Sequence, residues 1–257
     1  MFRIFLTIVL LFCLTPSFAA INGGIEKREI LNYSQVVDAN DGHGIAGAKV
    51  RVPQRKFVTI TDDEGRFNFD TDIKTPVILS VEKEGYKPFS MTISHNSSEP
   101  FIIGIEKNSA LSVSIDSDLI HIGDNSYSEK SANAGEFRSK SVGAFYYKDF
   151  NVPNFSDNQK VYLIIGSVIG IDTLDARKAG QTHVVTSYAS APEIYCNGNK
   201  ICELKLNGDN NEIEIPKQIL HKNVPNNITF KAGRNLFRND YIDYDDIELA
   251  NISVEVR

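Results

Sequence analysis

The residues able to do chemistry are present in this chain, but their spacing is wrong for most known machinery. Five histidines stand at positions 43, 95, 121, 183 and 221. None falls into an H-E-x-x-H pattern, and no G-x-S-x-G nucleophile elbow occurs, because GSVIG at Gly166 has no central serine and sits in an apolar run. His121 and Asp124 have the i, i+3 spacing of a zinc-ligand pair, with an aspartate where a zinc peptidase places glutamate. The remaining chain is too short for such a catalytic domain. A Ser/His/Asp set can assemble from distant loops, so composition alone neither supports nor excludes one. The glycines of HGIAG do not open a helix, so they cannot cradle a phosphate. The reading is a protein that is not an enzyme and has no organic cofactor.

Binding chemistry is better represented. The segment HIGDNSYSEKSANAGEF, residues 121–137, is a long polar loop carrying Asp124, Asn125, Tyr127, Glu129 and Asn133. Loops of this kind on a rigid scaffold supply ligand contacts. Asp124, Asn125, Tyr127 and Asn133 are therefore the candidate ligand-binding residues, and a plain surface loop is the alternative. A second acidic group, YIDYDDIE, places Asp243 and Asp245 on one face of an extended segment and Asp246 on the other. Sugar recognition needs a flat aromatic beside amides and carboxylates. With ten tyrosines and no tryptophan, Tyr127, Tyr188, Tyr195 and Tyr241 are the available rings. The alternating aromatics of GAFYYKDF read as core filling.

Export is written at the start of the chain. MFRIFLTIVLLFCLTPSFA has one positive charge, an apolar stretch too short to span a bilayer, and small residues Ser17 and Ala19 at a cleavage site after Ala19. Residues 1–19 read as a signal peptide, with an uncleaved anchor as the alternative. Cys13 follows a bulky Phe12, which disfavours a lipoprotein site. The protein is then secreted or periplasmic, and not integral to the membrane once processed. Cys196 and Cys202 remain, and an oxidising compartment with an even count favours a disulfide. A three-residue loop at Gly198, Asn199 and Lys200 would set them opposite each other, within disulfide reach. A metal pair or redox dithiol is the alternative. The formal charge of -6 and the lack of a basic cluster argue against nucleic acid as a partner.

The elements that must position these residues are strands. Segments of five to nine residues alternate apolar and polar side chains, as in AKVRVP, RFNFD and VILSVEK, with no long amphipathic helix after the leader. Glycine-bearing turns punctuate them: Gly44 and Gly47 around the Ala48 strand, Gly65 closing TDDEG, and Gly85 before Tyr86. The acids of DANDG and TDDEG miss the EF-hand spacing and read as turn carboxylates. The chain is all-β.

The GIAGAKV turn and strand, the TDDEGRF turn and the EGY corner together resemble the carboxypeptidase regulatory-like domain, over roughly residues 30–106. That resemblance implies a small transthyretin-like sandwich of the carbohydrate-binding-like fold, acting as an accessory to other domains. After a polar boundary near residue 107, residues 108–257 contain IYCNGNKICEL, EIPKQIL, NNITFKAGRN and YDDIELANISVEV. This series resembles the second half of a galactose-binding-like jelly roll. It implies a larger β-sandwich, and a structural calcium ion for which Asp243, Asp245 and Asp246 are the candidate ligands. The expected function is a non-catalytic protein binding carbohydrate or cell-envelope glycan. The alternative is a structural or adhesive module that binds an envelope or cell-surface protein without sugar.

Overall fold

The computed structural model describes residues 33–257 apart from 95–99, 129, 134 and 186. Residues 1–19, where a signal peptide is expected, and Glu129 lie outside the described residues. The described chain is nearly all β, as the alternating pattern requires, and Asn32–Arg257 form one compact unit.

Seven strands form the first sandwich: β1 (Ser34–Asp38), β2 (Lys49–Val52), β3 (Phe57–Ile60), β4 (Arg66–Phe67), β5 (Val77–Glu82), β6 (Phe89–Ile93) and β7 (Ile102–Ile105). One sheet has the order β4-β1-β7, with β1 and β7 parallel; the second runs β3-β2-β5-β6, antiparallel throughout. Val36, Val50, Val52, Leu79, Val81 and Ile105 pack between them. Glycine is required at the TDDEG turn for two reasons. Gly65 has φ +76°, and a Cβ there would overlap the Val36 carbonyl oxygen. The backbone is that close because Val36 donates to the Gly65 carbonyl at 2.8 Å. Asp62 accepts from the amides of Glu64 (3.1 Å) and Arg66 (2.7 Å), so this acid closes its own turn. Asp38 accepts from the Asn40 amide, at 2.9 Å, and pairs with Lys107 and the Tyr86 hydroxyl. Those bonds, the Asn40 amide first, hold its pKa down to about 2.

The second sandwich contains β8 (Ser112–Ile122), β9 (Phe145–Phe150), β10 (Val161–Ile169), the short helix α1 (Leu174–Lys178), β11 (Glu193–Cys196), β12 (Asn199–Glu203), β13 (Gly208–Ile215), β14 (Asn226–Lys231) and β15 (Ile247–Val256). Its sheets, the third and fourth of the molecule, have the orders β13-β10-β15-β8 and β12-β11-β14-β9. Ile122, Leu163, Ile165, Ile194, Ile228, Phe230 and Ile252 fill the space between them.

The two sandwiches are stacked, not strung apart. Ile78 of the second sheet packs with Ile169 and Ala250 of the third, flanked by Leu119 and Phe137. This explains why β5 is buried on both faces from Val77 to Val81. Small residues allow the close approach: a Cβ on Gly166 would overlap the Ser90 hydroxyl, and Ser90 bonds Ser167 at 3.0 Å. Asp209 accepts from the Thr92 amide and hydroxyl, and Gln54 donates to Glu248 at 2.8 Å. The layers therefore run first, second, third, fourth sheet. One broad face of the fourth is left at the end of the stack.

Candidate functional site

Three loops meet at one end of the second sandwich: 123–144, 170–192 and 232–246. Their polar side chains bind one another. The Tyr244 and Ser126 amides donate to Asp124, at 2.8 and 2.9 Å. Asn125 adopts φ +58°, gives its amide to Asp246 at 3.0 Å and accepts from the Ser141 amide at 3.0 Å. Asn133 donates to the Ser126 carbonyl (2.6 Å) and to Asp246 (3.1 Å), and accepts from the Asp246 amide (2.6 Å). The Tyr127 hydroxyl is buried beside the Phe137 backbone, and burial pushes its pKa up to about 12. The four loop residues singled out from the sequence lie in one cluster: Asn125 and Asn133 bond Asp246, Asp124 holds the Tyr244 and Ser126 amides, and the Tyr127 hydroxyl is buried with no hydrogen-bond partner among the described residues.

At the centre is an ion pair. His121 and Asp246 have side chains 0% exposed, with Nε2 2.7 Å from Oδ1. The Nδ1 atom lies 2.5 Å from the Ser139 carbonyl oxygen, which can only accept. Both ring nitrogens therefore donate, and the imidazole is charged. Burial opposes that charge, but the bonds to Asp246 and Ser139 outweigh it and the pKa is raised. A pair sealed this deeply has no access to a substrate and serves as a brace.

The three acids of this segment diverge. Asp243 accepts from Ser131 (3.2 Å) and Asn235 (2.8 Å), Asp245 from the Asp172 amide (3.1 Å), and Asp246 from His121, Asn125 and Asn133. Burial, then the neighbouring Asp172 carboxylate, drives the Asp245 pKa well above the ordinary range. Among the described residues no group of three or more His, Cys, Asp or Glu side chains could hold a metal ion. With their oxygens turned to different partners, Asp243, Asp245 and Asp246 do not form the expected calcium set.

The cysteine expectation needs correction. Cys196 and Cys202 are free. The hairpin turns through two residues, Asn197 (φ 48°) and Gly198 (φ 78°), so Cys196 pairs with Asn199. A register shift beyond Tyr195 then sets Cys202 against Ile194. Cys196 is buried, and burial pushes its thiol up to about 11.

A second correction concerns GAFYYKDF. Phe145 and Tyr147 are 51% and 71% exposed, whereas Tyr146 and Phe150 face the core. Asp149 shares the face of Phe145 and Tyr147, which a core-facing assignment cannot accommodate. These aromatics lie on the open face of the fourth sheet. Tyr147 pairs with Thr229, and Thr229 with Tyr195. Along one side run Phe145, Lys231, Glu193 and Glu203; along the other, Asp149 and Asn227. A groove of about 270 Å³, lined by Ser190, Glu193, Glu203, Lys231 and Arg234 among others, continues from this face. Of the other tyrosines, Tyr188 packs edge-on against Phe237 at 4.9 Å and Tyr241 lies under Arg238 at 4.5 Å, both in the loop cluster.

Residues 34–114 match the family model of the CarboxypepD_reg-like domain, so the first sandwich is a carboxypeptidase regulatory-like domain. That family is a β-sandwich binding or adhesion module, non-catalytic in itself. No curated protein matches the chain. No helix among the described residues is long and apolar enough to cross a membrane.

Proposed function

We propose that this is an exported, non-catalytic module that binds carbohydrate of the cell envelope or surface, with the second sandwich carrying the ligand and the first holding it rigidly. The observation that supports this reading is the open face of the fourth sheet. Exposed Tyr147 and Phe145 and half-exposed Tyr195 stand there beside Asn227, Asp149 and Glu193. Rings beside amides and carboxylates are the chemistry that holds a sugar, because a ring covers its C–H face and polar groups take its hydroxyls. Asp124, Asn125, Tyr127 and Asn133 enter as braces of the adjoining loops.

The test is a screen of the chain without residues 1–19 against a glycan array and envelope polysaccharides. Saturable retention of at least one glycan is expected. A second reading is favoured by edge strand β3, where Val58 and Ile60 are exposed and one edge pairs with no strand among the described residues. It predicts capture of a specific envelope protein and no glycan.

A further inference from the structure

We infer that the open face of the fourth sheet binds an internal stretch of a linear, neutral glycan, laid across the strands from β9 to β11 with Tyr147 and Tyr195 stacking on alternate sugars. This rests on the glycan reading above and adds the site, the direction of the chain and the class of ligand.

The spacing carries the argument. Tyr147, Thr229 and Tyr195 are direct register partners on three adjacent strands. The two tyrosines are therefore separated by two interstrand spacings, about 9.5 Å, the length of one disaccharide repeat in an extended β-linked chain. Thr229 between them is short and leaves a trough whose walls are aromatic. The Tyr195 hydroxyl donates to Glu193 at 3.0 Å, which fixes the ring before any ligand arrives.

The polar groups flank the trough on both sides. Asn227 donates to Asp149 at 2.8 Å and its oxygen accepts from Thr229, leaving carboxylate and amide lone pairs for equatorial hydroxyls. On the other side Lys231 bonds Glu193 at 2.7 Å, and Lys200 bonds Glu193 and Glu203 at 3.2 and 2.6 Å. Both lysines of the face are thus neutralised by its own glutamates. No lysine of the sheet face is left to balance a uronate or sulfate, and the exposed Arg234 lies in the adjoining groove beyond the end of β14, away from the Tyr147–Tyr195 line, so the ligand complementary to that line is uncharged. The Tyr147 end of the line reaches the sheet edge at β9, and at the other end it runs on to Lys200, the β12 partner of Tyr195; the surface is a flat track that suits a passing chain over a terminal sugar held in a pocket.

The experiment is affinity electrophoresis of the chain without residues 1–19 through gels containing neutral or acidic polysaccharides. Calorimetry with oligosaccharides of increasing length from the retained polymer follows. A neutral β-linked polymer should retard the protein with little dependence on salt. The monosaccharide should give no measurable binding, and affinity should rise sharply at the trisaccharide. Tyr147→Ala and Tyr195→Ala should each weaken binding about tenfold or more, while Tyr147→Phe retains it and the melting temperatures stay unchanged. Saturation by a monosaccharide, or full binding by the double alanine variant, would overturn the site while leaving the glycan reading intact. Retention by acidic polymers alone, abolished by salt, would overturn the neutral class. Retention by none would overturn both.

Discussion

The apical loops and the open face of the fourth sheet draw on the same residue types, Asp, Asn, Ser and Tyr, and use them in opposite ways. In the loops, Asp246 alone gathers His121, Asn125 and Asn133, and every one of these groups is turned toward protein. On the sheet, Tyr147 and Phe145 are exposed and pack against nothing that buries them. A polar cluster that satisfies itself fixes shape, because each buried group would cost free energy if its partner left. An exposed ring on a rigid strand contributes little to the fold and is free to contact something else. A residue's type alone therefore does not mark a site; whether its capacity has already been spent does.

The sharpest way to break this contrast is Asp246→Ala. It strands a buried imidazolium and two donors, and the expected loss is about 3–5 kcal/mol of unfolding free energy, measured by denaturant titration. Tyr147→Ala in the same assay should change stability by no more than about 0.5 kcal/mol. Equal losses would erase the distinction between brace and ligand surface.

Next in size is the response of the loop cluster to pH. The His121 pKa is raised in the fold, so its contribution is fully present below the unfolded value of about 6.5 and is lost as pH rises through the folded value. Asp245 and Glu248, both raised by burial, act in the same direction, since ionising them above their unfolded values strains the fold. Glu193, held to about 2 chiefly by Lys231, keeps the sheet face ionised across this range. Amide exchange at Asn125 should accelerate as pH climbs above about 6.5, beyond the intrinsic base-catalysed increase. The amides of β14 should show no such excess. His121→Gln should remove the excess at Asn125.

Much of this was legible in the chain, and the failures have physical causes. Glycine at 65 and the acids of TDDEG announced a turn because their chemistry is local: one needs a positive φ, the other caps nearby amides. The gathering of Asp124, Asn125, Tyr127 and Asn133 was also visible, as a polar run too long for a simple turn. Their inward orientation was not, since Asp246 reaches them from more than a hundred residues away. In GAFYYKDF the period of two showed that a face existed without saying which way it turned. Asp149, two residues after Tyr147, was the unused signal. The cysteines failed on register, because a two-residue turn and a later shift moved Cys202 against Ile194.

The smallest expected effect concerns those cysteines. With both thiols free, adding reductant should leave the melting temperature unchanged, and denatured protein lacking residues 1–19 should titrate as a dithiol. A bridge across this short hairpin would instead contribute about 2 kcal/mol, read as a fall in melting temperature on reduction.

The contrast between spent and unspent capacity is tested most directly by amide chemical-shift mapping of the chain without residues 1–19, titrated with a soluble fragment of whichever polysaccharide retains it. Shifts should concentrate at Tyr147, Thr229 and Tyr195 and leave Asp124, Asn125 and Asn133 unmoved. Shifts concentrated at those three loop residues, with the sheet unmoved, would contradict the account.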